Sequence, residues 1–265
     1  MNAYEKRMLA ILSEGRERYG FVSVKAEFEA EGTRHDEFLR LLELARRAGL
    51  KVTLKIGGCE AIRDLIEARS FGVDMIVAPM VETPYALSKF IAAKDKVFPK
   101  DEQADMSFLF NVETHTTFGA LEELGQVAQA GGVGLVFGRV DFAGSLGHDR
   151  SFVNSDEMAG YVNAVAVVAQ KRGLELVVGG GVSPDSVPLL AGARQAGRLD
   201  RFETRKVVFD AAVAEDGRAA AGMELAIEFE LLWLQNKRDF YQLIASEDAA
   251  RIAMMEARAA ASKSA

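Results

Sequence analysis

The chain has 265 residues, 49% apolar and 27% charged, enough for a full core, and no Pro/Ser-rich linker divides it. A net charge of −7 argues against a nucleic-acid face, which needs clustered Lys and Arg. The single Cys59 excludes an internal disulfide, and no apolar run reaches the roughly 18 residues needed to cross a bilayer. The start, Met1-Asn-Ala-Tyr-Glu-Lys-Arg7, leads into an amphipathic helix and has no apolar signal core. We expect a soluble cytoplasmic protein folded as one domain over residues 1–265.

Short β-rich runs alternate with helical ones along the chain. The predicted strands are Phe21–Phe28, Lys51–Ile56, Met75–Ala78, Met106–Val112, Val133–Phe137, Leu174–Val178 and Thr204–Phe209. Helices are predicted near Asp36–Ala48, Glu60–Ser70, Pro84–Lys94, Phe118–Ala130, Asp156–Lys171 and Pro184–Gln195. Gly49, Gly72, Gly131 and Gly173 follow four of them, where a left-handed cap residue is expected. Such alternation implies a parallel sheet covered by helices. Seven strands and an N-terminal helix are legible; an eighth strand is irregular, absent or hidden in Ala211–Val213. Helical stretches Gly222–Ser246 and Glu247–Ser264 then make residues 215–265 a C-terminal extension. Its apolar part, Met223–Leu234, either packs as the final barrel helix or makes a contact between subunits.

Alternation within the strands separates an open sheet from a closed barrel. In the first strand Val22, Val24, Ala26 and Phe28 face one way and Ser23, Lys25 and Glu27 the other. In the second, Val52, Leu54 and Ile56 oppose Lys51, Thr53 and Lys55. In the fourth, Phe108, Phe110 and Val112 oppose Ser107, Leu109, Asn111 and Glu113. A doubly wound sheet covers both faces with helices and favours continuous apolar runs. One polar face fits a TIM-like (β/α)-barrel with its site at the C-terminal strand ends.

On that alternation Lys25, Glu27 and Lys55 point inward near one rim. Buried charges must pair or bind something, so they form either an internal ion pair or an anion pocket in which Glu27 orients substrate or moves protons. Glu29 continues the series or lies on the loop, and Arg34 reaches the rim or is solvated. Glu113 closes one strand and Asp141 follows the next, so a barrel brings both acids to the same rim. Two hard oxygen ligands there suit Mg²⁺ or Mn²⁺; the bland alternative is helix capping or a surface acid. His115 and His148 could transfer protons or hydrogen-bond near the site, whereas His35 faces water at a helix start. The turn Gly179-Gly-Gly-Val-Ser183-Pro184 leads into a helix N-terminus and is either an anion-binding loop or simply tight.

Val77-Ala-Pro79-Met80-Val81-Glu82-Thr83, Asn111-Val-Glu113-Thr114 and Gly138-Arg-Val-Asp141-Phe-Ala-Gly-Ser-Leu-Gly147 stand in a familiar order. From about Phe21 to Asp210 the chain resembles the HpcH/HpaI aldolase and citrate lyase β-subunit family of phosphoenolpyruvate/pyruvate-type barrels. The resemblance implies that Glu113 and Asp141 bind Mg²⁺ or Mn²⁺, which chelates a pyruvate-like acid and stabilises its enolate during carbon–carbon cleavage or formation. It also implies a homo-oligomer built through the C-terminal helices. Two departures stand out. Lys55 replaces the family's usual Arg, a point charge in place of a bidentate fork, and Phe28 stands where many members carry a His. Glu27, Glu29, His115 and His148 remain as candidate bases.

The expected function is a metal-dependent carbon–carbon lyase or aldolase acting on a 2-oxo acid or related small anion. Its catalytic candidates are Glu27, Lys55 and His115, and its metal ligands Glu113 and Asp141. Substrate-binding candidates are Lys25, Lys55, Arg139, Gly180 and Gly181. Two other readings stay open: a class I aldolase forming a Schiff base on Lys55 or Lys25, and a non-catalytic barrel that binds an anion or sugar phosphate.

Overall fold

The computed structural model describes residues 1–263, so the last two residues of the expected extension lie outside the described residues. The first helix, α1 (Ala3–Arg18), starts in a capping box: Asn2 Oδ1 accepts from the Glu5 amide, and Glu5 Oε2 from the Asn2 amide, both at 2.9 Å. β1 (Phe21–Glu27), α2 (His35–Ala48), β2 (Lys51–Lys55), α3 (Ile62–Phe71) and β3 (Met75–Ala78) follow. α4 (Pro84–Val97) and the single turn α5 (Lys100–Gln103) lead to β4 (Ser107–Val112). α6 (His115–Gly119) and α7 (Leu121–Gly131) lead to β5 (Gly134–Gly138). α8 (Arg139–Ser145), a 3-10 turn (Arg150–Asn154) and α9 (Asp156–Arg172) lead to β6 (Leu176–Gly179). α10 (Val187–Ala196), β7 (Arg201–Glu203), β8 (Val207–Asp210) and α11 (Ala219–Lys263) complete the described chain.

Left-handed glycines cap α2, α3 and α9 at Gly49, Gly72 and Gly173. At α7 the expected cap Gly131 stays helical, and Gly132 takes the left-handed role with φ 62°. Either of two adjacent glycines can end a helix, and here the helix runs one residue further.

Eight strands close into an α/β barrel in sequence order. The pairs from β1–β2 through β6–β7 are parallel, whereas β8 runs antiparallel to both β7 and β1. The expected all-parallel sheet is therefore corrected at its last strand. The predicted strand Thr204–Phe209 straddles a hairpin, closed where the Thr204 amide donates to the Val207 carbonyl at 2.9 Å. Thr204, Arg205 and Lys206 include none of the usual turn residues, so the run reads as one strand. Ala211–Val213 holds no strand; it lies in a 3-10 turn (Ala211–Ala214) capped by Asp210.

The alternation read from the strands is the alternation found. Val24, Ala26, Leu54 and Phe110 are fully buried against the outer helices. Inside the barrel Val77, Leu109, Val136 and Val177 form a separate apolar plug across β3 to β6. Leu109 precedes Asn111 on the same face of β4, and Glu113 follows just past the strand, so the plug floors the polar C-terminal rim.

α11 starts beside Tyr19 and Phe209 at the barrel's base, and its buried residues Met223, Ala226, Phe229 and Trp233 recur at helical spacing. It climbs along α1, with Arg7 pairing to Glu228 at 2.8 Å and Asn2 meeting Asn236 at 2.6 Å. Beyond Trp233 its large apolar side chains, including Leu243 and Ile252, are exposed. Among the described residues no helix is long and apolar enough to cross a membrane.

Candidate active site at the barrel rim

A cavity of about 550 Å³ opens at the C-terminal ends of the strands. β1 supplies Lys25 and Glu27, and the loop after it Glu29; β2 supplies Lys55. Across the barrel stand Asn111 on β4 and Glu113 just past it, with Asp141 on the first turn of α8. Parallel register places Glu27 beside Lys55, which is how one polar face becomes a charged cluster.

Lys25 is 7% exposed and pairs with Glu203 and, at 3.2 Å, with Glu27. Burial works to lower the Lys25 ammonium, yet those carboxylates outweigh it and hold it above its ordinary value. Burial likewise works to raise Glu27, but Lys25 and Lys55 hold it below 4.5, its ordinary value. Lys55 lies 2.6 Å from Glu29 Oε2 and 3.6 Å from Glu113 Oε2. Burial opposes its charge too, and Glu113 and Glu29 again lift it above the usual lysine range.

Glu113 is 1% exposed. Its Oε1 accepts from the Met80 amide at 2.8 Å and its Oε2 from Asn111 Nδ2 at 2.7 Å. Burial raises its carboxyl above the ordinary value despite Lys55, and the Asp141 charge adds to the rise. Met80 holds its amide toward Glu113 with φ 50°, a left-handed conformation that costs energy outside glycine. Gly138 makes room beside the acid, since a Cβ there would sit 3.0 Å from Glu113 Cβ and 3.3 Å from its Oε2.

Among the described residues no group of three or more His, Cys, Asp and Glu side chains could hold a metal ion. The two-acid corner still fits a hard cation that keeps most of its waters. Asp141 is near enough to push the Glu113 carboxyl up, and a cation between them would relieve that repulsion. Asn111 Oδ1 is a buried acceptor without a hydrogen-bond partner beside the same corner.

The rim does not gather every sequence candidate. Arg139 is fully buried behind the wall and donates to the Gly179 and Val153 carbonyls, Asn154 Oδ1 and Ser186 Oγ at 2.9–3.2 Å. Burial lowers its guanidinium to about 10, and its donors face the protein, not the cavity. The expectation that Arg139 meets substrate is corrected on that geometry. His115 is exposed and does not line the cavity, because the Thr114 cap turns the chain into α6 directly after Glu113. His148 stacks on Phe152 with ring centroids 4.1 Å apart, also away from the cavity. His35 pairs with Glu67 at 2.8 Å at the exposed start of α2.

Gly180 and Gly181 do line the cavity, both with positive φ. A Cβ on Gly180 would come within 2.6 Å of the Arg139 and Val140 amide nitrogens, so close backbone approach requires glycine there. Sequence reasoning missed Glu203, Arg150, Arg205 and the α11 residues Ile227 and Glu230, all of which line the cavity. β7 has only three residues, too short to show an inward face around Glu203, though the charges of Arg201-Phe-Glu-Thr-Arg-Lys206 were a hint. No sequence signal points to Arg150.

No family model and no curated protein matches the chain. Solved structures do. An HpcH/HpaI aldolase from Desulfitobacterium hafniense DCB-2 is similar with a TM-score of 0.59 at 14% identity, over 82% of this chain and 87% of that one. An HpcH/HpaI aldolase/citrate lyase family protein from Burkholderia cenocepacia J2315 gives 0.58 at 16%, over 81% and 87%. A citrate synthase variant, SbnG, gives 0.54 at 16%, over 74% and 81%. At such identities what is shared is the fold, an α/β barrel also used by aldolases and citrate-forming enzymes.

Proposed function

We propose that the protein is a carbon–carbon lyase or aldolase acting on a 2-oxo acid, with a divalent cation held by Glu113 and Asp141. The observation that carries this reading is one cavity in which a two-carboxylate corner faces two buried ammoniums, Lys25 and Lys55. The aldolase and citrate synthase barrels that share the fold support it. When bound, Mg²⁺ or Mn²⁺ supplies a Lewis acid that polarises a keto oxygen.

The chain's own residues do the rest. Lys55, tethered by Glu29, stands beside Glu113 and can turn its ammonium to a substrate carboxylate. Lys25 keeps Glu27 ionised, and Glu27 is one of the cavity's carboxylates outside the metal corner, with Glu29, Glu203 and Glu230, that can accept a proton. The plug Val77, Leu109, Val136 and Val177 closes the barrel below and keeps bulk water from that side. A Schiff base needs a neutral amine, and carboxylates hold both lysines in the charged form, which weighs against the class I reading.

The test is metal-dependent binding and turnover of pyruvate, oxaloacetate and aldehydes. Mn²⁺ at about 100 times its Kd should stabilise the wild type by about 2.7 kcal/mol. Glu113→Gln and Asp141→Asn should abolish that thermal shift. Full turnover in chelator would remove the metal from the reading. A borohydride-trapped adduct on Lys25 or Lys55 would replace it with the Schiff-base reading. Tight oxo-acid binding without turnover would make the barrel a binding subunit.

A further inference from the structure

Four cationic side chains line the rim cavity: Lys25, Lys55, Arg150 and Arg205. Three already spend their charge within the protein. Lys25 is held by Glu203 and Glu27, Lys55 by Glu29 and Glu113, and Arg205 by Glu31 at 3.0 Å. Arg150 alone has neither an ion pair nor a side-chain hydrogen bond among the described residues.

Its backbone is nonetheless well fixed. Arg150 opens the 3-10 turn Arg150–Asn154, whose far end is gripped by Arg139 through Val153 O at 3.0 Å and Asn154 Oδ1 at 2.9 Å. The adjacent Asp149 carboxylate is taken by the Ser151 amide and hydroxyl, at 2.8 and 2.6 Å. The uncharged turn Gly180-Gly181-Val182 lines the same cavity, with Gly181 close to Val153 of that 3-10 turn. Arg150 is exposed, so this free guanidinium sits at the cavity's mouth while the paired lysines lie in its floor.

We propose that Arg150 receives a second oxyanion on the substrate, distal to the carboxylate that enters the floor. The proposal rests on the oxo-acid reading above and narrows it to dianionic substrates. The floor lysines are already held by carboxylates, so a second negative group finds no free partner there. It finds its one uncommitted partner at the mouth. A guanidinium also offers the planar fork that Lys55 lacks, matched to a carboxylate or a phosphoryl group.

The test is calorimetric titration in Mg²⁺ with pyruvate, oxaloacetate, 2-oxoglutarate and phosphonopyruvate, on wild type and Arg150→Gln. One of the dianions should bind the wild type about tenfold more tightly than pyruvate, as a charge-assisted pair allows. Whether it is a dicarboxylate or phosphonopyruvate identifies the oxyanion. Arg150→Gln should remove that advantage and leave pyruvate unchanged. Equal weakening of mono- and dianions, or no effect on either, overturns the assignment. If no oxo acid binds the wild type, the oxo-acid reading fails and inorganic phosphate decides Arg150. Phosphate binding lost in Arg150→Gln upholds the receptor; phosphate binding that is absent or unchanged overturns it.

Discussion

A buried ammonium is expensive unless carboxylates are folded in beside it, and Lys25 has two, from its own strand and from β7. Glu203→Gln removes one and leaves Glu27. We expect it to destabilise the protein by about 1–3 kcal/mol, read from urea unfolding. Glu27 gives a pH signature. Its folded pKa lies below 4.5, so its stabilisation is complete above that value and is lost as pH falls through the depressed pKa. Acid unfolding followed by circular dichroism should therefore lose more stability below about pH 4.5 in wild type than in Glu27→Gln. A parallel acid limb in the two proteins would contradict the assignment. At this scale Lys25, Glu27, Lys55 and Glu113 were legible because long strands display their alternation. Arg150 was not, because nothing local distinguishes an unpaired surface Arg from a paired one until its neighbours are in place.

Among elements, the start of α8 packs on the turn after β6 with almost no space between the backbones. Gly180→Ala puts a Cβ 2.6 Å from two amide nitrogens, at a residue with φ 79°. Backbone cannot step aside as a flexible side chain can. The variant should lose about 2–4 kcal/mol of stability, whereas Gly144→Ala, with nothing within 4 Å, should lose little. Equal melting temperatures for the two would refute this account of the turn. The same elements show where pattern reading ends. β1, β2 and β4 run long enough for one face to declare itself, and they fixed the barrel and its rim. β7 and β8 have three and four residues, joined by Thr204-Arg-Lys206 without a turn residue, so their hairpin merged into one apparent strand.

At the scale of the molecule, α11 is the outlier. It has 45 residues, yet among the described residues its last buried side chain is Trp233. Beyond that point Phe240, Leu243, Ile244, Ile252 and Met255 stand in solvent, a length of helix that lacks a core of its own. We expect copies of the chain to associate through this segment. Sedimentation of the wild type should show an oligomer, and Leu243→Asp with Ile252→Asp should shift it to monomer without unfolding the barrel. A wild-type chain that sediments as a monomer would defeat the expectation.

The reversed strand β8 explains why that helix stands where it does. Because β8 runs from rim to base, the chain leaves the barrel at its base, where the Asp210 amide bonds the Gly20 carbonyl at 2.8 Å. α11 must then ascend, and on passing the rim it sets Ile227 and Glu230 into the wall of the cavity. A helix following a parallel eighth strand would descend and carry the tail away from the entrance. Turning one four-residue strand around thus gives the doorway and the handle of the molecule the same side. If copies of the chain associate through the distal half of α11, their contact lies on the side of the barrel where the cavity opens.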